Sequence, residues 1–447
     1  MGEQATHGQC RVLVLGMGAT GASVARYLAA RGDTAVFCDT RGAAPGRAAI
    51  AAAMPESTLY SGPALPELPH TVEQVVVSPG VPLDLPLLVK AHERGLEICS
   101  DIDLFMRECR APVVAVTGSN GKSTVTAMTA AALAGAGWHA PAGGNLGTPA
   151  LDLLDASADA YVLELSSFQL ERTRPIAAAV AVVLNLSPDH LDSHTSFDAY
   201  AQAKQRIYLA CRHAVVNRDE PALAALPGRD AVVSGFTLLA PEPGDFGLLQ
   251  RDGDAWLACG ERPLLRAADL QVAGRHNYAN ALAALALGAA LGADPQSMVA
   301  GLRDFPGLPH RMQCVHRGAG VTWIDDSKAT NVGAAVTSVN GVPGPLVLIA
   351  GGDAKGAEFS ALADALHGRD CKAVLLGQDR ERLAAALQRV CEVCMVADMD
   401  EAVAVAGALA NPGTTVLLAP ACSSLDMYTD YAARGDAFCA AAKGQGS

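Results

Sequence analysis

The chain has 447 residues, half of them apolar and 18% charged, with a formal net charge of −13. At roughly 150 residues per domain, that length suggests about three domains, each large enough for its own core. An acidic balance without a long basic run argues against nucleic-acid or membrane-surface binding, so anionic ligands must be held by local sites.

The longest nearly apolar stretch, Ala281 to Ala293, falls well short of the roughly 18 residues that a membrane span requires. The opening MGEQATHGQC has neither a basic flank nor an apolar signal core. A cytoplasmic protein is expected, acting as a monomer with no membrane or nucleic-acid partner. The twelve cysteines are scattered and read as reduced thiols serving as small hydrophobes. Cys391 and Cys394 form a lone C-x-x-C in an apolar, strand-like segment, where a zinc or redox role is the weaker reading.

From Arg11, RVLVLGMGATGASVARYLAARGDTAVFCDTR reads as strand, glycine turn, helix and a second strand closing on Asp39. Gly16, Gly18 and Gly21 form G-x-G-x-x-G with an acidic residue about 20 positions on, as in dinucleotide-binding units. Taken alone this proposes an NAD-binding oxidoreductase, yet the pattern itself says only that a phosphate-bearing ligand approaches the backbone closely. A further strand, EQVVVSPGVP, ends in the turn Ser78-Pro79-Gly80, which is either a ligand-binding edge or a simple strand exit. A boundary is expected near Ser100, where a short helical segment, Asp101 to Cys109, leads to Ala111 and Pro112.

The stretch VVAVTGSNGKSTVT then predicts a buried strand, a tight turn through Gly118, Ser119, Asn120 and Gly121, and a helix. Such a junction leaves backbone N–H groups and the helix dipole free to hold phosphate oxygens. Lys122 would reach the terminal phosphates, and the hydroxyl of Ser123 or Thr124 would meet Mg²⁺. The stretch is not the usual G-x-x-x-x-G-K-[ST], because the first glycine of that pattern would fall on Val116. The bland alternative is an ordinary strand-to-helix turn, which gives no reason for the lysine.

GGNLG, at 143–147, reads on its own as a plain glycine turn. ADAYVLELSS is a strand ending on Glu164, and AAAVAVVLNLSPDHLDSH is another, ending near Asn185 and His190. Groups at the carboxyl ends of parallel strands face the crevice, so Glu164 is a candidate Mg²⁺ ligand and His190 could support a second ion. The spacing of His190 and His194, without an intervening glutamate, argues against a zinc peptidase. Phe197 to Leu209 is predicted helical, and Lys204 on it reads by itself as a solvated charge. Asn280 lies inside the alanine-rich helix of GRHNYANALAALALGAALG, where capping cannot explain it, and is a candidate nucleotide contact. FPGLPHR, Phe305 to Arg311, breaks the helical pattern, and strand then alternates with helix, predicting a third parallel α/β sheet.

Taken together, TGSNGKST, ELSSFQLE, DHLD, HNYANALAAL, GLPHR, DDSKATN, GGDAKG and ACSSLD resemble, in order and over nearly the whole chain, the motifs of the Mur ligases of peptidoglycan synthesis. Within that family the pattern is most similar to ligases that add D-glutamate to UDP-N-acetylmuramoyl-L-alanine. The resemblance implies an α/β fold of three domains. These would be a Rossmann-like UDP-substrate domain at residues 1–100, a central P-loop-type ATPase with a mainly parallel sheet at 101–306, and a C-terminal Rossmann-like amino-acid domain at 307–447.

It further implies an acyl phosphate formed with ATP, then a tetrahedral intermediate. Lys122, with Gly118 to Gly121, Ser123 and Thr124, would hold ATP, joined by Asn280, Arg311 and Asp326. Ser123, Thr124, Glu164 and His190 would bind two magnesium ions, together with Lys204 carboxylated by CO₂. The UDP sugar would fall to Gly18, Thr20, Asp39, Thr40, Arg41, Ser78, Gly80, Asn145 and His190. Glutamate would fall to Lys328, Thr330, Lys355, Ser424, Leu425 and Tyr431, the last standing where the family commonly has phenylalanine. The D-N-P-R motif of the diaminopimelate-adding relatives is absent, which favours glutamate, although no motif states its handedness. The rival ligase reading, a folylpolyglutamate synthase, lacks a matching N-terminal Rossmann domain, and the NAD-binding reading leaves the Lys122 loop without a role.

Overall fold

Short runs of valine, leucine and alanine set the architecture, because parallel strands flanked by helices keep such runs from water on both faces. The computed structural model, which describes residues 11–187, 194, 196–228, 231–272 and 274–444, folds them into three sheets. The first contains β1 (Val12–Leu15), β2 (Ala35–Asp39), β3 (Thr58–Ser61), β4 (Gln74–Val77) and β5 (Glu97–Cys99). All five are parallel, in the order β3-β2-β1-β4-β5. The order reverses between β1 and β4, which is where an open α/β sheet forms a ligand crevice.

The second sheet holds β6 (Val113–Thr117), β7 (Ala142–Gly144), β8 (Tyr161–Glu164), β9 (Val180–Val183), β10 (His213–Asn217), β11 (Val232–Phe236), β12 (Phe246–Arg251), β13 (Asp254–Cys259) and β14 (Arg262–Arg266). Its order is β14-β13-β12-β11-β10-β9-β6-β8-β7, parallel from β7 to β12 and antiparallel beyond. The stretch from β10 to β14 carries no apolar run as plain as that of β6, and the sequence reading passed over it. Its one legible signal is Asp252-Gly253, which joins β12 to β13 with both residues at positive φ, the conformation a two-residue hairpin requires.

The third sheet holds β15 (Gln313–Gly318), β16 (Val321–Asp325), β17 (Leu346–Gly351), β18 (Cys371–Leu376), β19 (Glu392–Met395) and β20 (Thr415–Leu418), in the order β15-β16-β20-β17-β18-β19. It departs from the expected all-parallel sheet at one edge, where β15 runs antiparallel to β16. Cys391 and Cys394 are free thiols at β19.

Alternation along β6 decides how the sheets join. Val114 and Val116 pack into the core beneath the helices Lys122–Gly135 and Arg275–Leu291. Val113 and Ala115 point the other way, into a cluster that also contains Val14 and Phe37 of the first sheet. The helix Asp101–Glu108 bridges the two, with its N-terminus closed by reciprocal hydrogen bonds between Ser100 and Asp103. Its Phe105 is fully buried and meets Tyr161 edge-on at 5.1 Å between ring centroids. The third sheet is covered by separate clusters on its two faces.

Phe105→Ala should therefore cost about 3–5 kcal/mol. The loss should appear as a lower thermal unfolding temperature of the first two sheets together, because one core serves both.

Candidate active site

β6 is buried along its whole length and exits into the turn that precedes the helix Lys122–Gly135. Gly121 caps that helix at φ +81°, and a Cβ there would stand 2.9 Å from Oδ1 of Asn280, so only glycine lets the two segments approach. The turn is tied to the exit of β9. Ser119 N donates to Asn185 O at 3.0 Å, Asn120 N donates to Asn185 Oδ1 at 2.8 Å, and Asn185 Nδ2 donates to Asn120 O at 3.0 Å. The Ser119 hydroxyl lies 2.9 Å from that of Tyr200. These bonds hold the first N–H groups of the helix open toward a cleft, the arrangement that binds phosphate.

Two lysines converge on the turn. Lys122 Nζ donates to Gly118 O and Ser119 O, both at 2.9 Å. Lys204 Nζ also donates to Gly118 O at 2.9 Å, above the Tyr200 ring at 4.6 Å. Lys204 is 1% exposed, which overturns its reading as a solvated charge. Opposite, Glu164 is buried and takes a 2.7 Å hydrogen bond from Asn145 Nδ2 on one oxygen. Its other oxygen is buried and has no hydrogen-bond partner among the described residues. An unpaired carboxylate oxygen beside two hydroxyl-bearing residues, Ser123 and Thr124, suits a hard divalent cation. His190 lies outside the described residues. His194 is buried, with Nε2 3.0 Å from Ser167 Oγ and its ring stacked on Phe168.

The cleft has a volume of about 440 Å³ and is walled on its far side by the third sheet. Arg311 crosses it, donating to Ser123 Oγ at 2.7 Å. Asp326 is buried beneath, accepting from the Ser338 hydroxyl and from Met312 N; burial pushes its carboxyl up to about 6. Burial, then the Arg311 charge, pushes Lys328 down to about 8, and its ammonium sits 3.8 Å from the Tyr431 ring centroid. Lys122, Lys204, Arg311 and Lys328 thus line one cavity in a chain of net charge −13.

The cavity gathers Ser119 to Thr124, Asn145, Glu164, Lys204, Asn280, Arg311, Asp326, Lys328 and Thr330, with Gly80 at its rim. Lys355, Ser424, Leu425 and Tyr431 do not line it. Tyr431 supports Lys328 from behind, Ser424 is buried, and Leu425 is exposed. Lys355 and Ser424 are brought near each other by paired backbone bonds between Asp353 and Ser423, at 3.1 and 2.8 Å. Arg434, itself buried, holds this region by donating to the carbonyls of Ser327 (2.9 Å) and Cys422 (3.2 Å).

At the first sheet, Gly18 and Thr20 open the helix Ala19–Arg31, and Ser78 follows β4, donating to Gly16 O at 3.4 Å. Asp39 is occupied: Met17 N (2.7 Å) donates to one carboxylate oxygen, Arg41 N (2.9 Å) to the other, and the exposed Arg41 guanidinium spans both. The Arg41 hydrogen bond holds the Asp39 carboxyl down at about 2. Thr40 and Arg41 remain exposed at the edge.

His276, Phe168, Tyr200, Asn331 and Ser338 also line the cleft and were not singled out from sequence as ligand contacts. Phe168 and Asn331 lie inside ELSSFQLE and DDSKATN, so those motifs were the available signal. Tyr200 and Ser338 carry none, since a hydroxyl on a helix has no meaning until the helix is docked.

Three family profiles match the chain in succession: Mur ligase MurD-like, N-terminal domain, over residues 10–100; Mur ligase middle domain, over 116–288; and Mur ligase, glutamate ligase domain, over 310–422. The UDP-N-acetylmuramoylalanine–D-glutamate ligase of Nitrosococcus oceani is 48% identical, covering 95% of each chain. That of Pseudomonas aeruginosa is 45% identical, over 95% of this chain and 96% of its own. Among solved structures, the UDP-N-acetylmuramate-alanine ligase of Thermotoga maritima is similar in fold, with a TM-score of 0.63 at 19% identity, covering 97% and 99% of the two chains. The MurF ligase of the same organism, in complex with ADP, gives 0.60 at 17% identity over 98% of both.

Because the folded state keeps a proton on Asp326 up to about pH 6, whereas an unfolded aspartate loses it near 4, folding takes up a proton in this window. The stability that Asp326 contributes should fall by roughly 3 kcal/mol as pH rises through it. Asp326→Asn should remove its share of that slope and leave the share of Asp101, whose buried carboxyl is also pushed up to about 6. Denaturant titrations of both proteins at several pH values between 4 and 6 check this, and equal slopes would remove Asp326 as the source.

Proposed function

The chain belongs to the Mur ligase family, and from that premise we propose that it is an ATP-dependent ligase that joins D-glutamate to UDP-N-acetylmuramoyl-L-alanine in peptidoglycan precursor synthesis. The observation that carries this reading is the single cleft in which the Lys122 turn and Glu164 face Arg311, Asp326 and Lys328. A nucleotide held by the central sheet thereby meets groups of the third sheet suited to an anionic amino acid.

A carboxylate is a poor electrophile, so direct amide formation fails. ATP transfers its terminal phosphoryl group to the alanyl carboxylate, releasing ADP and leaving an acyl phosphate. The amine of D-glutamate attacks the acyl carbon, forms the C–N bond and loses a proton. The tetrahedral intermediate then collapses, and phosphate departs with the electron pair of the broken C–O bond. The N–H groups at Gly118 to Thr124 hold phosphate oxygens, and Lys122 leaves the Gly118 and Ser119 carbonyls to follow the transferring charge. Arg311 reaches the same oxygens from the other wall, with Asn280 and Asp326 about the nucleotide. Gly18, Thr20, Asp39, Thr40, Arg41, Ser78, Gly80, Asn145 and His190 take the UDP sugar. Lys328, Thr330, Lys355, Ser424, Leu425 and Tyr431 take glutamate, with Lys355 and Ser424 moving toward Lys328 on closure.

Two magnesium ions, when bound by Ser123 or Thr124, Glu164, His190 and a carboxylated Lys204, would neutralise phosphate charge; the unpaired oxygen of Glu164 supports an ion at that residue. Carboxylation joins the deprotonated amine of Lys204 to CO₂, releases a proton, and turns a buried cation into an anionic ligand. Residues 1–100, 101–306 and 307–447 act as the UDP-substrate, ATP and amino-acid domains. The chain acts as a monomer in this reading. No helix among the described residues is long and apolar enough to cross a membrane, and the use of ATP and a UDP sugar supports a cytoplasmic location.

Purified protein with Mg²⁺, ATP and UDP-N-acetylmuramoyl-L-alanine should release ADP only when D-glutamate is added. Release with L-glutamate alone would overturn the product assignment, and release with neither would overturn the reaction. Lys204→Ala should lower turnover by at least a hundred-fold, as removal of a charge-stabilising group does, and short carboxylic acids should restore part of it. Full turnover without additive would take Lys204 out of the metal site.

A further inference from the structure

Behind the cleft, three chemically different donor groups meet outside the residues assigned to the ligase reaction. His310 lies in the linker before β15, Asp325 ends β16, and Cys439 sits on the helix Tyr431–Lys443. One donor atom from each lies within 4.8 Å of the other two. His310 Nδ1 is 2.7 Å, and Cys439 Sγ 3.2 Å, from the same Asp325 oxygen. Donors on a tetrahedral ion of the zinc class, at metal–ligand distances near 2.0–2.3 Å, stand roughly 3.3–3.8 Å apart. The two contacts to Asp325 would open by less than about 1 Å, and His310 and Cys439, within 4.8 Å of each other, would be drawn into the same range.

The outer contacts that orient metal ligands are already present. Nδ1 of His310, 2.7 Å from the Asp325 carboxylate, carries the ring proton here, and the Asp436 carboxylate, 3.7 Å from Nε2, favours the other tautomer once an ion takes Nδ1. The second oxygen of Asp325 accepts from Ser327 N at 2.8 Å, and His310 N donates to Gln313 Oε1 at 3.1 Å. Arg434 and Lys443 are the cations that act on this triad, against the carboxylates of Asp325 and Asp436.

We propose that His310, Asp325 and Cys439 form a binding site for a thiophilic divalent cation of the zinc class, with solvent as the fourth ligand. One nitrogen, one carboxylate oxygen and one sulfur favour such an ion over magnesium, which takes oxygen ligands. Without the ion the thiol stays protonated: burial and then Asp325 push Cys439 up to about 12, and it donates to Asp325. Binding breaks the S–H bond and releases that proton to solvent, shifts the neutral His310 ring to the tautomer with its proton on Nε2, and forms the metal–thiolate and metal–Nδ1 bonds. His310 and Asp325 are the chain neighbours of Arg311 and Asp326, so a bound ion fixes the linker to β16 directly behind the nucleotide wall.

The test is cobalt(II) added to the full-length protein in excess Mg²⁺, without nucleotide, followed by absorption spectroscopy. Wild type should develop a thiolate-to-cobalt charge-transfer band with the intense visible bands of a tetrahedral ion. Cys439→Ala should lose the charge-transfer band while keeping its Mg²⁺-dependent ligase turnover, and Cys314→Ala, which removes an exposed thiol on β15, should keep the band. Zinc should raise the melting temperature of wild type and leave that of Cys439→Ala unmoved. If alanine disturbs the helix, Cys439→Ser, which keeps the volume and lacks the thiolate, gives the same reading. No band in wild type, or an undiminished band in either Cys439 variant, overturns the proposal.

Discussion

The carbonyl of Gly118 accepts from both Lys122 and Lys204 at 2.9 Å, and the rest of the site is arranged around that double contact. An arriving phosphate offers each lysine a stronger, charge-assisted partner. The turn can present this carbonyl only because β6 is gripped between β8 and β9 and cannot shift along its axis. Burial of one strand is therefore what fixes the phosphate-binding geometry.

The sheets are joined in two physically different ways. The first and second share a continuous apolar cluster through Phe105, so moving one against the other would expose buried carbon. The third sheet has its own cores and meets the second across a cleft walled by Lys122, Glu164, Arg311 and Lys328. Polar groups facing across a cleft give up no buried apolar contact when they part, so motion at this junction would not disrupt a core. Closure would bring Lys355 and Ser424 toward the groups already in the cleft and exclude water from a hydrolysable acyl phosphate.

Burial also sets the charges of the third-sheet wall. Asp326 is held toward its neutral form and Lys328 toward the free amine, whereas Asp39, locked by Arg41, stays ionised. The contrast follows from partners. Asp39 has a guanidinium on its carboxylate, while the Asp326 carboxylate accepts from a hydroxyl and an amide, with Arg311 acting only as a nearby charge.

The sequence by itself determined the elements whose chemistry is local. The buried run before Gly118, the glycines of the turn, Lys122 and the strand ending on Glu164 were all legible, because each depends on residues adjacent in the chain. The ribbon from β12 to β14 was missed because half-exposed antiparallel strands carry a weak apolar pattern, and Asp252-Gly253 was its one strong local cue. Lys204 shows the limit most clearly. On a helix in isolation it is a solvated charge, and only docking of that helix buries it against Gly118. Tyr200, Ser338 and the His310-Asp325-Cys439 triad belong wholly to the tertiary structure, since their partners lie on elements far apart in the chain. Local order follows from backbone and side-chain chemistry within a few residues, whereas a pairing between distant side chains exists only after packing has fixed which faces meet.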